Sequence, residues 1–385
     1  MQLSRRHFFF GSLALPAFAA KKPPKSSAER PNLVLLVADS VPSWALGVNG
    51  NKDFHTPNLD RLALTGTRFR NHFVAAPAPA PGRASLLTGR TPMQPPAAAL
   101  DKLLEPAGYA CGASDAAGAA RFLDSQTAGK PFFLAVNLAS PRLPYDGVAQ
   151  KYRDMYAAVK FDTFVRDPVV PNARLGKEML ADLTGGLRKY GATLTAMDDE
   201  VQSVLSRVYG GKLGDTTLVV FTSTCGALLG RHGLWDAGEA ADPPDMYDEA
   251  VGTPMVWSWL GRVPAEGVRP ELVGSCDFVP SICDLAGVEM PSGNYSGRSY
   301  VALATGKPLP KKRPWRTSVY AQLGDTGMAR VERYKVVERT HGPGELYDLV
   351  ADPNERSNQY DNQAFVSVRD QLRAELIAWK QKYSS

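Results

Sequence analysis

Two apolar runs in this 385-residue chain lead into short polar steps: Asp39-Ser40 follows Asn32–Ala38, and Thr224-Cys225 follows Leu218–Thr222. Polar residues just past the ends of buried strands lie on the face where open α/β sheets take their ligands. A third segment, Pro79-Ala80-Pro81-Gly82-Arg83-Ala84-Ser85-Leu86-Leu87-Thr88-Gly89-Arg90, carries a cation, Arg83, where a helix is expected to begin. That guanidinium can neutralise an anion, or pair with Asp39 and serve folding; the residues leave both roles open. Pro79 has neither thiol nor hydroxyl and supplies no covalent nucleophile. The nearest hydroxyls, Ser85 and Thr88, fall about one to two turns further along, too far to replace one. Arg142, in Pro141-Arg142-Leu143-Pro144, is a second cation that cannot be deprotonated. His232 precedes Gly233 in a turn, where a hydrogen-bonded structural histidine is more common than a catalytic one. Asp198 and Asp199 lie on a long helix and read as solvated or capping groups, not a catalytic pair; Asp277 before Phe278 reads as a helix cap.

Taken together, these segments resemble the sulfatases, a branch of the alkaline-phosphatase-like superfamily. The family signature reads Cys/Ser-x-Pro-x-Arg followed by x-x-x-Leu-Thr-Gly-Arg, and its first residue becomes a formylglycine whose hydrate attacks sulfur. Here that residue is Pro79. The resemblance also assigns one Ca²⁺ or Mg²⁺ to four side chains at the positions of Asp39, Ser40, Thr224 and Cys225. Only Asp39 keeps a carboxylate, whereas such hard cations need several oxygen ligands. The sulfate-gripping lysine and histidine of the family correspond to Ala237 and Arg142. After Ala107-Gly108-Tyr109 the chain reads Ala110-Cys111-Gly112-Ala113-Ser114-Asp115, so the Lys and His of a Gly-Lys-Trp-His segment have no counterpart.

The resemblance therefore implies a catalytically inactive, exported pseudoenzyme that binds an anionic, sulfated ligand or a partner, with no cofactor expected. The alternative is an active divergent sulfatase or phosphoesterase working through Cys225 or a bound water. A third possibility is a structural partner of an active sulfatase. For the anion site, the expectation is that Pro81 and Gly82 lead into a helix whose free amides face the former sulfate position. Loss of carboxylates around Arg83 should leave that cavity more positive than in a metal-free active relative.

Composition fits a large globular protein: 44% hydrophobic residues can fill one large α/β core with a small appendage. The net charge of +5 is spread without basic runs, so nothing points to nucleic acid or a polybasic membrane anchor. Residues 1–20, with Ser4-Arg5-Arg6-His7-Phe8-Phe9, an apolar run to Leu15 and Ala17-Phe18-Ala19, fit a twin-arginine export signal. Periplasmic or secreted destination follows as an expectation, with residues 21–30 as a linker. The apolar run is shorter than the roughly 20 residues of a membrane-spanning helix. Cys111, Cys225, Cys276 and Cys283 show no metal pattern; a Cys276–Cys283 disulfide is conceivable, and buried free thiols are the preferred reading.

The elements that must position these residues follow from periodicity. Apolar runs at Asn32–Ala38, Phe132–Leu138, Leu218–Thr222 and Pro254–Leu260 predict buried parallel strands alternating with helices, a mostly parallel central sheet flanked by helices. Thr56-Pro57-Asn58 opens a helix with Thr as cap, closed by Gly66. A long helix carries Leu180, Leu183, Leu187, Tyr190, Leu194, Met197, Val201, Leu205 and Val208 as a core stripe. This sulfatase-like unit is expected over 31–310. A small C-terminal unit, 311–385, is expected to hold strands at Ser318–Gln322 and Tyr334–Glu338 in an antiparallel sheet. Its helix should present Phe365, Val368, Leu372, Leu376, Trp379 and Tyr383 on one face.

Overall fold

The computed structural model describes residues 30–126, 129–139, 141–310 and 312–384. The export signal and most of the linker fall in residues 1–29, outside the described residues. Among the described residues, eleven strands form two sheets. The large one contains β1 (Asn32–Ala38), β2 (Thr67–Phe73), β3 (Ala110–Ser114), β4 (Phe132–Asn137), β5 (Thr217–Ser223), β6 (Met255–Ser258) and β7 (Gly267–Gly274), in the order β3-β4-β1-β5-β6-β2-β7. The small one contains β8 (Ser318–Leu323), β9 (Thr326–Val331), β10 (Tyr334–Glu338) and β11 (Glu345–Asp348), all pairs antiparallel. The fold is thus mixed α/β, as expected.

The run Leu33-Val34-Leu35-Leu36-Val37 is apolar without alternation because both faces of β1 are covered. Val34 and Leu36 join one core with Val219, Phe221 and the helix Leu183–Tyr209; Leu33, Leu35 and Val37 join another with Leu218, Val220 and the helix Phe278–Ala286. A strand buried on both sides reads as a continuous hydrophobic stretch. β1 pairs in parallel with β4 and β5, which brings their C-terminal ends to one edge.

The expected parallel strand over Pro254–Leu260 is corrected: β6 runs antiparallel to both β5 and β2. A parallel return needs a crossover, usually helical, to carry the chain back to the starting edge. Between β5 and β6 the only α-helix is the four-residue Asp248–Val251, so the chain re-enters from the edge where it left.

The long helix runs Leu183–Tyr209, with Leu180 in a separate short helix, Lys177–Ala181, and Asp182 capping by accepting from the Gly185 amide at 3.0 Å. The helix Pro57–Leu64 has its predicted start, but Thr56 does not cap it through its side chain. Its hydroxyl instead accepts from the Gly47 amide and donates to Asp60. The cap comes from the long helix, where buried Asp198 accepts from the Asn58 and Leu59 amides at 2.9 and 2.8 Å. Asp199 stays outside, bonded to Tyr152 and paired with Lys151. Asp277 likewise departs from expectation: it makes no side-chain cap to Phe278–Ala286. Its carboxylate accepts from the Gly274 and Arg298 amides and from Arg316.

The small sheet is covered on both faces. The helix Val366–Tyr383 lays Leu372, Leu376, Trp379 and Tyr383 against Ala329, Val336 and Leu346. Val319, Ala321, Met328 and Val337 pack on Phe73, Met246 and Val251 of the preceding region. Fully buried Lys335 fastens that junction, donating to the Met246 carbonyl at 2.7 Å and Asp248 at 3.0 Å and pairing with Glu355. All four cysteines are free; Cys111 is half-buried and the other three are buried. No described helix is long and apolar enough to cross a membrane.

Candidate functional site

Ala38 pairs with Ser223 at the ends of β1 and β5, and the Thr224 amide donates to the Ala38 carbonyl at 3.0 Å. Asp39 and Thr224 therefore leave neighbouring strands at the same level, and the Thr224 hydroxyl donates to Asp39 Oδ1 at 2.5 Å. The signature segment forms the helix Pro79–Thr88, which is pressed onto this point. A Cβ on Gly82 would stand 2.1 Å from the Thr224 carbonyl oxygen, so glycine is what permits the approach.

One turn into that helix, Arg83 sends Nη2 to Asp39 Oδ1 at 3.0 Å and Nη1 to Asn137 Oδ1, at the end of β4, at 2.6 Å. Arg142 reaches Asp39 Oδ2 at 3.4 Å. Asp39 is 7% exposed, while the side chains of Arg83 and Arg142 are 29% and 52% exposed. The arrangement is a buried carboxylate held by two guanidiniums and a hydroxyl, with each arginine keeping an outward edge. Arg83 does pair with Asp39; that geometry leaves its solvent edge available to an anion.

Ser40, in the left-handed region at φ 57, turns its hydroxyl to Asp236 Oδ1 at 3.2 Å, within 3.8 Å of Cys225 Sγ. The Ser40 carbonyl accepts from Tyr190 of the long helix at 2.9 Å, which fixes the turn. Asp236 was not among the residues singled out from the sequence. It also accepts from the Ala237 amide at 2.9 Å, so the position of the missing lysine still contributes through its backbone. Burial raises the Asp236 carboxyl above the usual range, opposed by the Ala237 amide, Ser40 and Arg142, with Asp39 adding to the rise. Burial also pushes the Cys225 thiol up to about 12, with Asp236 and Asp39 adding to the effect.

One expectation about an anion site is corrected. The helix begins at Pro79, ahead of Arg83, because proline's fixed φ suits the first helical position. Of the early amides that a helix leaves free, Pro79 and Pro81 have none and Ala78 donates to the Ala76 carbonyl. Only Ala80 remains to face a ligand. Within the pocket, Asp39 and Asp236 stand against Arg83 and Arg142.

The same donor set does not fit a divalent metal. Both oxygens of Asp39 are engaged by guanidinium groups, where a cation would have to approach, and a hard cation wants about six to eight oxygen ligands. Among the described residues, no group of three or more His, Cys, Asp or Glu side chains is placed to hold one. His232 belongs to a separate arrangement. Its ring stacks on Tyr247 at 3.7 Å, its Nε2 lies 3.6 Å from Glu249, and its amide donates to Asp167 at 2.7 Å. Burial raises the Glu249 carboxyl, but His232 and Arg231 outweigh it and hold it below the usual range.

A parallel-centred sheet flanked by helices, with polar residues at its C-terminal edge and a small antiparallel sheet appended, defines an alkaline-phosphatase-like α/β protein. Within that class the chain belongs to the sulfatase family: the Sulfatase model matches residues 31–102 and 105–288. The model described as N-sulphoglucosamine sulphohydrolase, C-terminal, matches residues 230–382. An ulvan-active sulfatase of Formosa agariphila is 23% identical, over 90% of this chain and 80% of that protein. Among solved structures, a putative sulfatase from Bacteroides fragilis superposes with a TM-score of 0.79 at 19% identity, covering 95% of this chain and 98% of that one. A protein solved with its substrate D-glucosamine-2-N,6-O-disulfate gives a TM-score of 0.76 at 19% identity, covering 92% and 98%.

Proposed function

We propose that this protein is an exported sulfatase-family member that has lost ester hydrolysis and binds an anionic, sulfated ligand at the outward edges of Arg83 and Arg142. The observation that carries the reading is Asp39 locked between those guanidiniums beside a proline at the nucleophile position. Covalent attack has no donor atom at Pro79. Cys225 is no substitute, since it is fully buried and its thiol is held protonated at neutral pH. A sulfated sugar is the ligand class because a structural neighbour takes a disulfated glucosamine as substrate. Affinity is expected to be modest, since one free amide and a charge-balanced pocket replace a positive cradle.

Titrating sodium sulfate against ionic-strength-matched sodium chloride tests the binding. Wild type should show a saturable rise in Tm, because a ligand that binds only the folded state stabilises it by mass action. Arg142→Ala should weaken the rise and the Arg83→Ala/Arg142→Ala pair should abolish it; identical behaviour of all three proteins overturns the anion reading. For export, changing Arg5 and Arg6 together to Lys should leave the precursor in the cytoplasm, because the twin-arginine route reads the pair as an address. Normal processing of that variant would contradict it.

A further inference from the structure

A cavity of about 390 Å³ lies where the C-terminal helix meets the small sheet and the ends of β2 and β7, away from Asp39. That volume falls within the range of about 300–1,000 Å³ usual for small-molecule sites, which favour junctions between structural units. Aromatic rings form its walls. Tyr320 and Trp379 stack at 5.2 Å and 12°, Tyr383 leans on Trp379 at 6.1 Å, and Phe73 closes the inner side. These rings are fixed by the packing of the helix on the sheet, so a flat ligand would meet a prepared surface.

The polar side chains beside the rings are Ser275, Ser296, Ser318, Glu375 and the cations Arg316 and Lys382. Arg316 lines the cavity from the segment before β8, held by its 2.5 Å contact to buried Asp277. Lys382 and Glu375 line the opening from one face of the helix. Two cations, Arg316 and Lys382, thus line the cavity with one carboxylate, Glu375, beside rings that favour a flat body. None of these residues takes part in the Asp39 arrangement.

We propose that this cavity is a second binding site, for a ring-shaped organic acid whose flat face lies along the Tyr320, Trp379 and Tyr383 wall and whose carboxylate points to Arg316 and Lys382. The chemistry is shared by aromatic acids and by sugar acids, and the test separates them. Binding of 2-naphthoate, 2-naphthol and glucuronate to the full protein is followed by calorimetry and by quenching of tryptophan fluorescence.

An aromatic acid is indicated by saturable binding of 2-naphthoate with 2-naphthol about tenfold weaker or worse, the loss expected for one charge-assisted contact. A sugar acid is indicated if glucuronate binds and 2-naphthoate does not. Ala378→Leu should abolish binding without changing the Tm of the free protein, since Ala378 lines the cavity at an exposed helix position and leucine is a good helix former. Lys382→Ala should weaken binding about threefold to fivefold, as an exposed charge does. The Arg142→Ala protein, in which Arg83 and Thr224 still hold Asp39, should bind as wild type does. The proposal is overturned if neither acid binds, if the neutral naphthol binds as well as the acid, if Ala378→Leu leaves affinity unchanged, or if Arg142→Ala loses it.

Discussion

Asp39 is buried with guanidinium groups supplying the positive charge beside it. That pairing explains how a buried carboxylate is tolerated there: Arg83, Arg142 and Thr224 satisfy it directly. Leaving such a group uncompensated would cost several kcal/mol, so the arginines have a folding role whether or not they also meet a ligand. Asp198 shows the opposite balance. Desolvation raises its carboxyl to about 6, even though the Asn58 and Leu59 amides and the Asn58 side chain favour the charged form. Because its folded pKa lies above the unfolded one, its contribution to stability is full below about pH 4 and is lost as pH rises through about 6. The loss is on the order of 2–3 kcal/mol. Asp198→Asn cannot titrate, so the stability advantage of wild type over this variant should shrink by about that amount between pH 4 and pH 7. Denaturant unfolding of both proteins across that range measures it. A difference independent of pH would contradict the assignment of the titration to Asp198.

At the scale of elements, legibility followed the physics of burial. β1, β4 and β5 stand out in the sequence because both faces are covered and their central residues are apolar. β2 did not, since Arg68 and Arg70 interrupt its pattern; β7 contains Pro270; and β3 is built from Ala, Cys, Gly and Ser. The direction of β6 depends on the absence of a crossover helix, which no local pattern states. The site divides in the same way. Asp39, Arg83, Arg142, Thr224 and Cys225 lie in motifs at strand or helix ends and do converge. Asp236 was missed because it sits in an irregular loop between Trp235 and Ala237. Its signal was proximity to the missing lysine position. Counting prolines at the first and third helical positions would also have shown that few amides remain for an anion, had the helix start been placed at Pro79.

For the whole molecule, the elements that shape the family fold are present, and the proposed reading is that the atoms that perform its reaction are not. The sheets, the long helix and the appended small sheet are complete, and buried Lys335 still fastens the small sheet to the segment around Asp248. In that reading the nucleophile position holds a proline, and the metal positions hold a hydroxyl pair, a buried thiol and an aspartate already engaged by arginine. Together, covalent attack and metal-assisted charge stabilisation supply much of the barrier lowering in such hydrolysis, each several kcal/mol. Losing both should remove turnover. The most direct test is release of the aryl alcohol from an aryl sulfate and an aryl phosphate by purified mature protein, with and without added Ca²⁺ or Mg²⁺. No release above buffer in any condition is the expected result. Turnover that disappears in Asp39→Ala or Cys225→Ala would contradict the account.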